Sequence, residues 1–192
     1  SKDECIIRDY NDEIKFITEH SQRNNLIRNL CIDLKGNTLV LFSLIKHGEL
    51  LYELIKEKSN DRKTFYVYGG TDSETRERIR GIVEKERDSI VVASFGVFST
   101  GINIRNLHNI IFASPYKSRI RNLQSIGRGL RTHESKAIAK LYDFADNFNN
   151  NNHTMKHFVK RIGIYNQEEF DYEIVKINLK PQNGKEKETT LC

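Results

Sequence analysis

No stretch of this sequence stays apolar for the roughly 20 residues that a bilayer-crossing helix needs. No charged-then-apolar leader stands at its start. Its three cysteines, Cys5, Cys31 and Cys192, have no spacing that suggests a zinc site or a disulfide framework. These absences argue against a membrane span, a zinc module and a disulfide scaffold, and the expectation is an intracellular, reducing compartment. No internal repeat is visible. A P-loop, Gly-x-x-x-x-Gly-Lys followed by Ser or Thr between a strand and a helix, is missing too. Gly69, Gly70 and Gly81 are the only glycines near a suitable turn, and no Lys-Ser or Lys-Thr follows them. No carboxylate pair of the DExH or DEAD type follows a strand. By itself the chain lacks the nucleotide-cradling half of an ATPase.

What is present is a 192-residue chain, long enough for one well-buried domain and short for two. Charged residues make up 30% and the formal net charge is +5. Basic character of this size suits a nucleic-acid partner, although many soluble proteins share it. Five short apolar runs read as strands: "TLVLF" (38–42), "TFYVY" (64–68), "SIVVAS" (89–94), "NIIFAS" (109–114) and "AKLYDF" (139–144). Several hardly alternate, which suits strands buried on both faces of a parallel sheet. Helical stripes lie between and around them. Leu26, Ile27, Leu30, Cys31 and Leu34 form one, and Leu50, Leu51, Leu54 and Ile55 another. A third helix opens at Thr71 and Glu74, which have capping-box spacing. A fourth presents Met155, Phe158, Val159 and Ile162. The alternation of strand and helix predicts an α/β fold, an open and mainly parallel sheet with right-handed crossovers. The asparagine-rich 147–153 reads as a connector, and the polar 181–192 as a disordered tail.

The chemistry concentrates at strand ends. In open parallel sheets, ligands bind at the carboxyl ends of the strands. Ser43 follows the first strand, with Lys46 and His47 just beyond it. Gly69, Gly70 and Thr71 end the second strand. Ser94 ends the third, followed by a small-residue loop with Gly96, Ser99, Thr100 and Gly101. Hydroxyls and glycine amides donate to phosphate without reading sequence. In "NLQSIGRGLRTHES" (122–135), helical spacing puts Ile120, Leu123, Ile126 and Leu130 on one side and Gln124, Arg128 and Arg131 on another. Two guanidiniums and an amide together match phosphate oxygens. On spacing alone, solvated arginines at a helix end are the plainer reading.

Taken together, the order and spacing of these segments resemble the second RecA-like domain of superfamily-two helicases and translocases. "TLVLFS" resembles that family's motif IV, and "YGGT" the segment after it. "VVASFGVFSTGINI" resembles motif V, and "QSIGRGLR" fits the motif VI pattern Gln-x-x-Gly-Arg-x-x-Arg. Within the superfamily, "RNNLIRNL", "NTLVLFSLIKHGELLYELI" and "FGVFSTGINIRNLHNIIFASP" are most similar to a phage-encoded helicase. The resemblance covers about residues 20–165. It gives a division into 1–19 (a linker and the start of the first helix), 20–165 (the RecA-like domain), 166–180 (an extension) and 181–192 (the tail).

The resemblance implies ATP and Mg2+, held mainly by a P-loop domain that precedes this one in such enzymes. It implies Arg131 as arginine finger and Arg128 as its companion, with Gln124, Gly101 and Asn103 on the nucleotide side. Asn103 stands where many members carry aspartate, and its amide accepts less strongly than a carboxylate. Phe95 likewise replaces a common acidic residue. The resemblance implies nucleic-acid backbone contacts from Ser43, Gly70, Thr71, Ser94 and Thr100, and assigns no residue to a metal. The partners implied are DNA, RNA in DNA–RNA hybrids and the P-loop domain, with no membrane and a monomeric state. The location implied is soluble and intracellular, the host cytoplasm for a phage-encoded protein. The task implied is remodelling of branched DNA and R-loops in recombination, repair and replication. A non-catalytic nucleic-acid-binding module that kept the fold is an alternative. So is the motor half of a restriction- or chromatin-type duplex translocase.

Other residues take plainer readings. Arg76 and Arg78 read as a solvated helix face with phosphate contact as the alternative. His153 and His157 have the i, i+4 spacing of helix zinc ligands but no third ligand, and read as solvated. Cys31 reads as core, His108 as a loop residue before a strand, and Asp143 and Asp146 as turn or capping residues. The tyrosines and phenylalanines show no stacking-platform pattern along the chain.

Overall fold

A computed structural model of the chain describes residues 9–100, 104, 106–114, 139–148, 152–179 and 189–191, with the backbone alone at 99–100 and 189–191. Gly101, Asn103, Gln124, Arg128 and Arg131 lie outside the described residues. The described residues divide into two compact units, one of residues 26–114 and 139–143, the other of residues 9–25, 144–179 and 189–191.

In the larger unit five strands form one sheet in the order β2-β3-β1-β4-β5, every neighbouring pair parallel. They are β1 (Thr38–Phe42), β2 (Thr64–Val67), β3 (Ile90–Ser94), β4 (Asn109–Phe112) and β5 (Lys140–Asp143). This is the open parallel sheet that the strand and helix alternation predicts. Every residue of β1, β3 and β4 is buried, as their unbroken apolar runs require, whereas the outer strands β2 and β5 are mostly half-buried. Helices α2 (Ser21–Asp33), α3 (Ile45–Lys58), α4 (Ser73–Lys85) and α5 (Phe95–Thr100) accompany it. Leu51 and Ile55 of α3 are fully buried, while Leu50, from the same apolar stripe, is exposed. Cys31 is buried, and burial pushes its thiol up to about 12, against the pull of Arg62, which makes it an inert core group.

The amino edge of the sheet is tied together by Asn37, which is fully buried. Its side-chain oxygen accepts from Ser89 N at 2.9 Å and Ser89 Oγ at 2.8 Å. Its amide nitrogen donates to Glu86 O at 2.8 Å and Val83 O at 3.1 Å, carbonyls at the end of α4. Its backbone N–H donates to His108 Nδ1 at 3.1 Å, and its carbonyl accepts from His108 N and Asn109 N. His108 is therefore the pre-strand loop residue that its position suggests. Gly36, with φ of +90°, has the His108 ring so close that an added Cβ would lie 2.6 Å from Cγ. Only glycine fits both constraints. Arg62 completes the edge by donating to Cys31 O and Ile32 O at the end of α2 and pairing with Asp88 at 2.9 Å.

The smaller unit holds α1 (Tyr10–Glu19), α6 (His153–Gln167) and a three-stranded antiparallel sheet. Its strands are β6 (Asp146–Asn147), β7 (Ile177–Leu179) and β8 (Thr189–Leu191), with β8 central. Residues 189–191, inside the stretch read as a disordered tail, thus form a strand. Asp146 is neither a turn nor a cap but half of a buried ion pair, its Oδ1 accepting from Arg23 Nε at 2.6 Å. The Arg23 guanidinium also stacks over Phe144, 5.8 Å from the ring centroid.

The start of α6 is capped from another helix. Asn152, its N-cap, makes no side-chain cap of its own. Glu13 of α1 supplies the acceptors instead, from His153 N at 2.9 Å, Thr154 N at 2.7 Å and Asn152 Nδ2 at 2.8 Å. These satisfy amides that the helix cannot pair internally, and the carboxylate complements the dipole. The buried face of α6 carries Thr154, Phe158, Arg161, Ile164 and Tyr165. Val159, from the predicted apolar face, is 62% exposed. The face is rotated because Thr154 turns inward to Glu13, and Arg161 is buried beside Phe158. His153 and His157 both meet the Tyr10 ring edge-on, at 5.9 and 5.6 Å, so their spacing serves packing rather than a metal.

Two outcomes follow. Asn37→Ala leaves several buried backbone groups unpaired and is expected to cost about 2–4 kcal/mol in urea unfolding. In the smaller unit, burial pushes the Glu13 carboxyl up, but the hydrogen bonds from Thr154, Asn152 and His153 outweigh it and leave its pKa lowered. A lowered carboxyl pKa stabilises the fold above the ordinary value of about 4.3, and that share is lost as pH falls through the folded value. Burial also holds His20 low, so its protonation costs stability from about pH 6.5 downward. The Glu13 share is the difference between wild type and Glu13→Gln below about pH 4.3, where wild type should lose stability more steeply.

Candidate functional site

Because the five strands are parallel, their carboxyl ends share one edge. Register sets the rows there: Phe42 pairs with Ser94, Val67 with Ala93, and Phe112 with Leu41. Ser43, Ser94, Ser114 and the turn after Val67 therefore emerge together. The structure brings together the sequence-predicted contacts Ser43, Gly70, Thr71 and Ser94. For Thr100 it gives the backbone alone, at the end of α5.

Ser43 is exposed, and its N–H donates to Ser114 Oγ at 3.1 Å. His47 of α3, only 3% exposed, has Nδ1 2.9 Å from that same oxygen. Which of the two donates follows the His47 tautomer, since the Ser114 hydroxyl can accept twice. Gly48 lets α3 come this close, since an added Cβ would stand 2.5 Å from three ring carbons of Phe42. Neither Ser114 nor this use of His47 is visible in the sequence, where 67 positions separate them.

Ser94 is buried, and its Oγ accepts from Val97 N at 3.4 Å in the first turn of α5. Its proton remains available to donate. Phe95 is buried with its ring edge-on to Phe112 at 5.2 Å. It therefore anchors α5 to β4 by apolar packing.

The turn after β2 is closed twice, by Thr71 N to Tyr68 O at 3.0 Å and by Tyr68 N to Thr71 Oγ1 at 3.1 Å. The Thr71 hydroxyl thus shapes the turn and is not the α4 cap suggested by its spacing to Glu74. Asp72 is the cap, accepting from Thr75 N at 2.8 Å. That hydrogen bond holds the exposed Asp72 carboxyl below the usual carboxylate range. Arg76 is half-buried and donates Nη2 to Gly69 O at 2.9 Å, bracing the turn from α4. Arg78 is exposed. Gly69 and Gly70 are both exposed, so a ligand can approach their backbone closely. Among the described residues no cluster of three His, Cys, Asp or Glu could hold a metal, and no helix is long and apolar enough to cross a membrane.

Comparisons with known proteins place this geometry. The family model for the helicase conserved C-terminal domain matches residues 21–133. The ATP-dependent DNA helicase uvsW of Enterobacteria phage T4 is 39% identical in a match that covers 88% of this chain and 37% of that protein. The Saccharomyces cerevisiae protein IRC3 is 34% identical over 108 residues, 55% of this chain and 15% of its own. The chain thus spans well under half the length of either relative. The crystal structure of T4 UvsW superposes with a TM-score of 0.70, covering 86% of this chain and 36% of that one. The C-terminal domain of the DEAD-box protein Dbp5 superposes at 0.58 with 13% identity, covering 78% of this chain and 80% of that one, a likeness of fold.

Ser114→Ala strips the acceptor from the Ser43 N–H and the partner from His47. It is expected to cost about 1–3 kcal/mol in thermal or urea unfolding, while Ser114→Thr, which keeps the hydroxyl, recovers most of it.

Proposed function

The chain belongs to the helicase conserved C-terminal domain family, and from that premise we propose that it is the second motor domain of an ATP-dependent DNA helicase. The observation that carries the reading is the carboxyl edge of the sheet. There Ser43, Ser94 and the Gly69–Thr71 turn converge in the register of a parallel sheet, directly before the segment that bears Gln-x-x-Gly-Arg-x-x-Arg.

In this reading Ser43, Gly70, Thr71, Ser94 and Thr100 hold the sugar-phosphate backbone of a nucleic-acid strand. Backbone contacts do not read sequence, which suits a domain that must move along its track. Arg131 and Arg128 reach a nucleotide whose phosphates and Mg2+ are held by a P-loop domain supplied elsewhere in the enzyme, with Gln124, Gly101 and Asn103 on the nucleotide side. Positive charge fixed in position stabilises the charge that develops on the transferring phosphoryl group, worth on the order of a thousandfold or more in rate. Closure on ATP and reopening after hydrolysis would step the two domains along one strand. The relative from phage T4 is an ATP-dependent DNA helicase; for this chain the reading extends to branched DNA and R-loops as substrates, in recombination, repair and replication.

The chain alone should hydrolyse ATP negligibly, and a P-loop domain joined to its amino end should restore DNA-stimulated hydrolysis. In that complete enzyme, Arg131→Ala should reduce kcat by about a thousandfold and leave DNA affinity nearly unchanged. Full hydrolysis by the variant would refute the arginine-finger assignment, and absence of any DNA-stimulated hydrolysis in the unmutated enzyme would favour a non-catalytic module.

A further inference from the structure

The carboxyl edge holds a feature that backbone contact does not use. Three aromatic rings form a row on one face of the sheet. Phe42 of β1 and Tyr66 of β2 lie 5.5 Å apart at an interplanar angle of 10°. Tyr66 and Tyr68 continue the row at 5.5 Å and 27°. The row crosses β3 between Ser94, level with Phe42, and Val92, level with Tyr66. Burial falls off along the row. Phe42 is fully buried, Tyr66 is half-buried, and Tyr68 is 37% exposed.

Tyr68 is held in place. Its N–H and carbonyl both bond Thr71, and its ring leans on Tyr66, whose Oη reaches Ile45 O. Tyr66 in turn meets Tyr52 of α3 at 5.4 Å. Gly70 packs closely against the outer part of the ring, which stays 37% exposed. A Cβ there would lie 2.6 Å from Cε2 and 2.9 Å from Cζ of Tyr68, so any side chain at 70 would collide with the ring. The same turn presents Gly70 and Thr71, two of the backbone-contacting positions. A strand gripped there runs beside a rigid, exposed aromatic ring.

We propose that Tyr68 is a stacking platform for a base of the single strand bound at this edge. This site for a nucleobase is distinct from the phosphate contacts, and the proposal rests on the helicase reading above. A ring already ordered by its neighbours loses little conformational freedom when a base stacks on it. Every base has a π-face, so the contact tolerates any sequence and is compatible with translocation.

The test is fluorescence-anisotropy binding of the 192-residue chain to two labelled single-stranded oligodeoxynucleotides of equal length, one with bases and one made of abasic sites. Wild type should bind the base-bearing strand about 5- to 150-fold more tightly. Tyr68→Ala should lose that margin and bind both strands alike, while Tyr68→Phe keeps it. Equal loss by Tyr68→Ala on both strands, or none on either, overturns the proposal. A Thr71→Ala variant separates the two readings: weakening on both strands with Tyr68→Ala silent leaves backbone contact standing and removes stacking. Failure of wild type to bind either strand removes both. Should Tyr68→Ala not fold, as judged by circular dichroism, equal wild-type affinity for the two strands overturns stacking without it.

Discussion

The sheet is ordered by one buried amide. Asn37 stands one residue before β1, and its polar atoms bind the start of β3, the end of α4 and the approach to β4. Each bond links segments far apart in sequence, and each would cost the desolvation of a buried backbone group if broken. Strands rise about 3.3 Å per residue, so strands of matched length started level must also end level. β1 and β3 both run five residues from the paired Thr38 and Ile90, and they finish at the paired Phe42 and Ser94. The row of hydroxyls at the far edge is therefore set from the near one. A slip of one residue in β1 would move Ser43 away from Ser114 and turn its apolar residues to the wrong faces.

At the carboxyl edge, groups read from sequence as ligand contacts turn out to hold one another first. Thr71 Oγ1 accepts from Tyr68, Ser94 Oγ accepts from Val97, and the Ser43 amide donates to Ser114. This does not disqualify them. A hydroxyl has one proton and two lone pairs, so an accepting bond to the fold leaves the proton for a phosphate. Fixing the oxygen beforehand reduces the entropy lost on binding. Arg76 acts the same way at one remove, since its bond to Gly69 O orients the turn rather than the ligand.

The core was legible where burial on two faces leaves no choice. β1, β3 and β4 are unbroken apolar runs and lie in the middle of the sheet, as such runs must. The outer strands were legible by type more than by burial, because an edge strand is covered on fewer sides. Hydrophobic periodicity does not give the α6 face, because Thr154 is buried by its hydrogen bonds to Glu13 and Arg161 is buried beside the Phe158 ring. The α4 cap moved from Thr71 to Asp72 because the Thr71 hydroxyl is taken by the turn before it. Motifs V and VI were legible as patterns of residues. The Phe42–Tyr66–Tyr68 row was not, because it depends on register across an intervening strand and has no trace in local order.

The same register bears on the arginines that the proposed function needs. Residues 115–138, which carry Arg128 and Arg131, stand between β4 and β5 in the sequence. The end of β4 is fixed at the carboxyl edge, where Ala113 N bonds Leu41 O and the Ser114 hydroxyl meets Ser43 and His47. The start of β5 is fixed at the amino edge, where Lys140 N bonds His108 O. His108 is itself held by Asn37 through its ring and its backbone. Both anchors of the arginine-bearing segment thus belong to the framework that levels the strand ends.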